Sequence, residues 1–159
     1  MEKIKAKLLG KNEIQRSIVR LAYEIIEKNA NLECMVLIGI RTRGEYLAQR
    51  LHKLIKKYAG ISLPLGTLDV TFYRDDFRTN LGSPKVGASN ILFEIDGKTV
   101  ILIDDVLYTG RTIRAAMDEI FTYGRPNRIR LGVVVDRGHR ELPIKADFVG
   151  KNLPTSSNE

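Results

Sequence analysis

The stretch Val100-Ile101-Leu102-Ile103-Asp104-Asp105-Val106-Leu107-Tyr108-Thr109-Gly110-Arg111-Thr112 decides how this chain folds. Its opening run is apolar without interruption, as expected of a central parallel strand buried on both faces. After Thr112 the apolar positions change to helical spacing, at Ile113, Ala116, Met117, Ile120 and Phe121. The residues between are therefore a strand-to-helix loop. Such a loop directs backbone N–H groups and the positive end of a helix dipole at one point, and Gly110 lets the backbone approach an anion closely. Asp104 and Asp105, at the carboxyl end of the strand, are placed to accept hydrogen bonds from two vicinal hydroxyls, or to reach a magnesium ion directly or through water. Phosphate, diol and metal together suggest a ribose 5-phosphate. A bare Asp-Asp pair is usually only a solvated strand end; the Thr109-Gly110-Arg111-Thr112 turn makes the stretch specific. No Gly-Lys-Ser/Thr P-loop and no GxGxxG occurs, so ATP or dinucleotide binding has no support.

On the amino-terminal side, Asn12 can cap a helix with Gln15 three residues on, and Ile14, Ile18, Leu21 and Ile25 form its apolar stripe. Arg16, Arg20, Tyr23 and Glu27 fall on another face. Residues 34–40 read as a buried strand, followed after Arg41-Thr42-Arg43-Gly44 by a helix with Tyr46, Leu47, Leu51, Leu54 and Ile55 inward. The amides of that turn can also point at an anion, although a basic turn is often merely solvated. Leu68, Val70 and Phe72 alternate with polar neighbours, the period of a strand. Residues 74–90 are polar and contain Gly and Pro; the segment is too long for a hairpin turn and reads as a flap, with room for short strands as arms. Asp96-Gly97 marks a turn, the helix after the opening stretch runs to about Tyr123, and residues 129–135 form a strand ending in Asp136-Arg137-Gly138-His139-Arg140. Strands alternating with helices imply an α/β fold, a largely parallel central sheet flanked by helices, with ligands beyond the carboxyl ends of the strands.

The 159 residues suit a single domain, 1–159, with a polar tail over 154–159. With 43% hydrophobic and 28% charged residues the chain is an ordinary globular one, without a membrane-spanning run. Its start lacks the apolar core of a signal peptide, so the expected location is cytoplasmic and no membrane partner is expected. The single cysteine, Cys34, lies in an apolar run and reads as a buried small hydrophobe rather than a catalytic thiol. Net charge is +7, which either serves solubility or suits an extended polyanion such as RNA.

The order of apolar strand, Asp-Asp, then Thr-Gly-x-Thr resembles the phosphoribosyl-pyrophosphate (PRPP) signature of type I phosphoribosyltransferases. That resemblance implies the type I phosphoribosyltransferase fold with a flexible flap and Mg2+ as cofactor. Asp104, Asp105 and Arg43 would be the catalytic residues, with Mg2+ at Asp104 and Asp105. Substrate contacts would come from Thr42 and Arg43 on the departing diphosphate, from Arg74 in the flap, and from Val106, Leu107, Tyr108, Thr109, Gly110, Arg111 and Thr112. Arg137 lies where a base would sit. Asp75 and Asp76 could belong to the lid or be plain loop carboxylates.

The likeness extends further. Ile38-Gly39-Ile40-Arg41-Thr42-Arg43-Gly44, Tyr73-Arg74-Asp75-Asp76, Val135-Asp136-Arg137-Gly138-His139-Arg140-Glu141-Leu142-Pro143-Ile144 and Gly150-Lys151-Asn152 resemble the PyrR family of bacterial pyrimidine-operon attenuators. The stretch from Asp136 to Ile144 is the discriminating one. This resemblance implies transfer of phosphoribosyl from PRPP to uracil, giving UMP and diphosphate, together with UMP- or UTP-dependent binding of a leader mRNA that promotes transcription termination; guanosine nucleotides would oppose it. Arg20, Thr42, His139, Arg140, Lys145, Lys151 and Thr155 match family positions associated with RNA binding. Residues 125–151 carry seven Lys or Arg against three Asp or Glu, which favours that partner. A homo-oligomer, a dimer or higher, is implied as well. Family members usually continue beyond the equivalent of Glu159 and have a longer flap, which makes a regulator with vestigial catalysis an alternative; a salvage enzyme for another base, without RNA binding, is another.

Overall fold

The computed structural model describes residues 10–70 and 89–154. Arg74 with most of the expected flap, and Thr155 with the rest of the tail, lie outside the described residues. The elements are α1 (Lys11–Lys28), a short 3-10 turn (Leu32–Cys34), β1 (Met35–Ile40), α2 (Arg43–Ala59), β2 (Leu65–Leu68), β3 (Thr99–Leu107), α3 (Arg111–Phe121), β4 (Arg128–Asp136) and β5 (Phe148–Asn152). The strands form one five-stranded sheet in the order β2-β1-β3-β4-β5, and every pair is parallel.

Alternation along the central strands divides the interior into two layers. Val36, Ile38 and Ile40 of β1, with Val100 and Leu102 of β3, share a core with Ile113, Ala116 and Ile120 of α3. The intervening residues Met35, Leu37, Ile101 and Ile103 pack with Ile18, Leu21, Ala22 and Ile25 of α1 and with Ala48, Leu51 and Ile55 of α2. The run from Val100 to Ile103 is thus buried on both faces, and each such side chain contributes about 1.5–3 kcal/mol on leaving water. β1 and β3 lie side by side but lead to helices on opposite faces. The carboxyl edge between them is the switch point at which open α/β sheets bind ligands.

Several local expectations are corrected. Gly10, not Asn12, occupies the N-cap of α1, and no side chain caps it. Residue 34 ends the 3-10 turn instead of starting β1; Cys34 is partly exposed, and its sulfur accepts a bond from Asn31 Nδ2 at 3.3 Å. Tyr46, read as inward, is 61% exposed, and Phe121, the last apolar position of the spacing after Thr112, is 57% exposed. The core face of α2 is set instead by Ala48, Leu51 and Ile55. β2 lies at Leu65–Leu68, earlier than the alternating pattern suggests, and Thr67 makes an antiparallel bridge to Asn90. β5 is a strand the sequence did not announce.

Candidate functional site

Two loops meet at the β1/β3 switch point. The first leaves β1 through Arg41-Thr42 and enters α2, and two glycines let it sit close to β3. A Cβ on Gly39 would stand 2.5 Å from the Gly44 carbonyl oxygen, and one on Gly44 would stand 2.5 Å from the Ile103 carbonyl oxygen and 3.2 Å from Asp104 Cα. Only hydrogen at both positions allows the first turn of α2 to lie against the end of β3. The Arg41–Thr42 peptide is cis.

The arginines of this loop have separate roles. Arg41 turns back to the scaffold: its Nε donates to Glu45 at 3.2 Å, its Nη2 to Thr67 Oγ1 at 2.9 Å, and its N–H to the Leu68 carbonyl at 2.8 Å. Arg43 reaches over the switch point and places Nη1 3.5 Å from Asp105 Oδ2, with 83% of its side chain exposed. Thr42 beside it is exposed. Arg43 is therefore the cation of this loop that faces the site.

The second loop carries the carboxylates and the helix start. Asp104 is buried, and its Oδ1 accepts the Asp105 N–H at 2.9 Å; Asp105 Oδ1 accepts the Val106 N–H at 2.8 Å. These bonds hold both carboxyl groups in place at the end of the strand. Gly110, at φ 95°, is the N-cap of α3, Thr109 Oγ1 accepts the Arg111 N–H at 3.2 Å, and no acidic residue stands in the first helical turn. The positive end of α3 is therefore uncompensated by charge within that turn, as an anion site requires. Leu107 turns its side chain away from the rim, so only its backbone faces the loop. Its side chain is buried in the core shared with α3, and its carbonyl accepts the Arg137 N–H at 3.1 Å. Val106, by contrast, is exposed.

The loop leaving β4 completes the rim. Asp136 Oδ2 pairs with Arg140 Nη2 at 2.7 Å, and its Oδ1 accepts the Gly138 N–H at 3.0 Å. Burial opposes ionisation of Asp136, but the Arg140 guanidinium and the Gly138 N–H outweigh it and hold the carboxyl below the usual carboxylate range. Arg140 also donates from Nε to the Ile144 carbonyl and from Nη1 to the Tyr108 carbonyl, each at 2.8 Å. All its guanidinium nitrogens are engaged within the chain, which sets it apart from the other cations expected to meet RNA. The Arg137 guanidinium lies 4.0 Å from the Tyr108 ring centre, while His139, exposed and at φ 60°, meets the same ring edge-on at 5.7 Å.

The remaining basic positions sit on different elements. Lys145 is exposed in the loop between β4 and β5. Arg20 of α1 donates to the Gly150 carbonyl and stands 3.8 Å from Glu24, and Lys151 stands 3.7 Å from Glu13. Arg20 and Lys151 thus mark the α1/β5 edge, and the Leu153 N–H, bonded to the Asp136 carbonyl at 2.9 Å, ties the end of β5 to the β4 loop. Thr42 lies apart, beyond β1. Glu141, which pairs with Arg111 at 2.8 Å, and the glycine pair Gly39/Gly44 were not singled out from sequence. The glycine spacing across a strand end and a helix start is a readable signal, whereas the Arg111–Glu141 pairing has none.

Among the described residues no cluster of three or more His, Cys, Asp or Glu could hold a metal alone. The donor set of Asp104 and Asp105 fits Mg2+ that arrives with a phosphorylated substrate, since Mg2+ is commonly held by one or two carboxylates plus substrate oxygens. No described helix is long and apolar enough to cross a membrane.

Residues 7–159 match the family model for the phosphoribosyl transferase domain. "Bifunctional protein PyrR" of Thermoanaerobacter sp. (strain X514) is 54% identical over 99% of this chain and 88% of its own length. The protein of that name from Listeria monocytogenes serotype 4a is 56% identical over 92% of this chain and 81% of its own. Among solved structures, a hypoxanthine phosphoribosyltransferase from Staphylococcus aureus superposes with a TM-score of 0.72 at 24% identity, covering 95% of this chain and 78% of that one. That likeness carries the fold alone.

Proposed function

The chain belongs to the phosphoribosyltransferase family, in its PyrR branch, and from this membership we propose that it makes UMP and diphosphate from uracil and PRPP, and that uridine nucleotides in the same site control its binding of a pyrimidine-operon leader mRNA. The observation that carries the reading is convergence at one edge of the sheet: Arg43, the Asp104/Asp105 pair and the start of α3 all meet beyond β1 and β3.

Each group has a defined task. The start of α3, from Thr109 to Thr112, holds the 5-phosphate. Asp104 and Asp105 accept the ribose hydroxyls and fix the ring. Thr42 and Arg43 hold the diphosphate. Asp104 and Asp105 would hold the Mg2+ that comes with PRPP, which would add neutralising charge to that leaving group. The C1–oxygen bond breaks, the sugar carbon gains oxocarbenium character, uracil N1 forms the new bond, and the N1 proton passes to the departing diphosphate. The chain needs no nucleophile of its own, since positioning and charge supply the rate. Asp136-Arg137-Gly138 and the Tyr108–Arg137 stack border the position of the base. Arg20, Lys145 and Lys151 supply cations for RNA and His139 an exposed ring, with Arg140 bracing the loop. The reading places the protein in the cytoplasm, as a dimer or higher assembly.

The test is steady-state UMP formation from uracil and PRPP with Mg2+, with hypoxanthine as the competing base. Turnover with uracil and at least about a hundredfold lower kcat/KM with hypoxanthine is expected, as unmet hydrogen bonds in a base site impose. Preference for hypoxanthine contradicts the reading.

A further inference from the structure

The loop leaving β4 is fastened to the phosphate turn along its length. The Arg137 N–H bonds the Leu107 carbonyl, and the N–H groups of Glu141 and Leu142 both bond the Thr109 carbonyl, at 2.9 and 3.2 Å. Arg140 Nη1 bonds the Tyr108 carbonyl, and the Tyr108 ring touches Arg137 and His139. Ile144 and Leu142 lie over Gly110, where a Cβ would meet them at 3.3 and 3.5 Å. Most of this seam is backbone hydrogen bonding and packing, for which an arriving anion does not compete.

One contact differs. Arg111 Nε bonds Glu141 Oε1 at 2.8 Å, with the two side chains 52% and 53% exposed. Arg111 is the first residue of α3, at the helix end suited to a phosphate. A phosphate there competes with the Glu141 carboxylate for the Arg111 guanidinium, and its own charge repels that carboxylate.

We infer that the Arg111–Glu141 ion pair is the releasable contact through which a nucleotide phosphate in the turn changes the exposed face of loop 137–144, at Glu141 and beside His139, while the loop's backbone stays fastened. Arg140 is the fixed strut of that loop and Glu141 the positioning residue whose contact is exchanged. The inference rests on nucleotide control of RNA binding and supplies its route. Thermodynamic linkage then requires the same factor in both directions: what Glu141 costs the nucleotide, it also costs the RNA.

The test uses the full chain and its Glu141→Gln and Glu141→Asp variants. Dissociation constants are measured for UMP alone by calorimetry, and for a leader hairpin with and without saturating UMP at one salt concentration. Glu141→Gln is expected to bind UMP, and to bind RNA without UMP, about two- to fivefold more tightly, the range an exposed ion pair can supply. Its RNA affinity with UMP stays native, so the coupling factor falls by the same amount, while Glu141→Asp keeps native coupling. Native coupling in Glu141→Gln overturns the inference alone. A native chain whose RNA affinity ignores UMP overturns both the inference and the functional reading.

Discussion

Asp105→Asn is expected to lower kcat/KM for UMP formation by about a hundredfold or more while moving the melting temperature by less than about 4 °C. The two effects separate because of where the carboxylate stands. Asp105 lies at the mouth of the sheet, its side chain 29% exposed, so its pairing with Arg43 at 3.5 Å contributes no more to stability than a partly solvated ion pair does, about 0–1 kcal/mol. Asp104 beside it is buried and takes its own ribose hydroxyl, so it does not stand in for Asp105. Asn offers one carbonyl oxygen in place of a charged acceptor, weakening the hold on a ribose hydroxyl and releasing Arg43 from its register. Parallel measurement of initial rates and thermal unfolding checks the pair of outcomes. A loss of activity matched by a large loss of stability would assign Asp105 to the scaffold instead.

Gly44→Ala is expected to cost about 3 kcal/mol of stability, the upper end of ordinary overpacking, because the added methyl meets backbone on the neighbouring strand. The Ile103 carbonyl oxygen, 2.5 Å from the new carbon, cannot swing aside as a side-chain tip would. α2 must lift from the sheet, and activity falls with stability because the same turn carries Thr42 and Arg43. Gly60→Ala is the control. Gly60 ends α2 at φ 73°, with no atom within 4 Å of a Cβ, so only its left-handed backbone is at issue, and about 1 kcal/mol is expected. Denaturant unfolding of both variants measures the difference; equal costs would mean that the close approach is relaxed in solution.

The parts of the fold that were legible in sequence are those where burial demands an unbroken pattern. The Val100 to Ile103 run had to be a central strand because no polar residue interrupts it, and the change to helical spacing after Thr112 located the turn. β5 was not legible because tertiary partners define it: β4 along one side, and Ser17 and Arg20 of α1 against Gly150. The start of α1 misled because Asn12 and Gln15 have the spacing of a capping box, while the backbone enters the helix at Gly10. Among the candidate site residues, carboxylates and turn hydroxyls stand out by their order along one segment. Arg41 and Arg43 do not, since only the position of β2 and Thr67 decides which of them faces inward to the scaffold. Arg140 is similar: as a letter it is one more surface cation, and only its contacts with Asp136, Tyr108 and Ile144 make it a brace.

The central claim is that one sugar-phosphate site serves both as active centre and as nucleotide sensor for RNA. It is tested most directly by the affinity of a pyrimidine-operon leader hairpin for this chain, measured with and without saturating UMP at a single stated salt concentration. The account predicts at least about fivefold tighter binding with UMP, the lower bound of ordinary allosteric coupling. Equal affinity in the two conditions, in a protein that binds UMP, would contradict it.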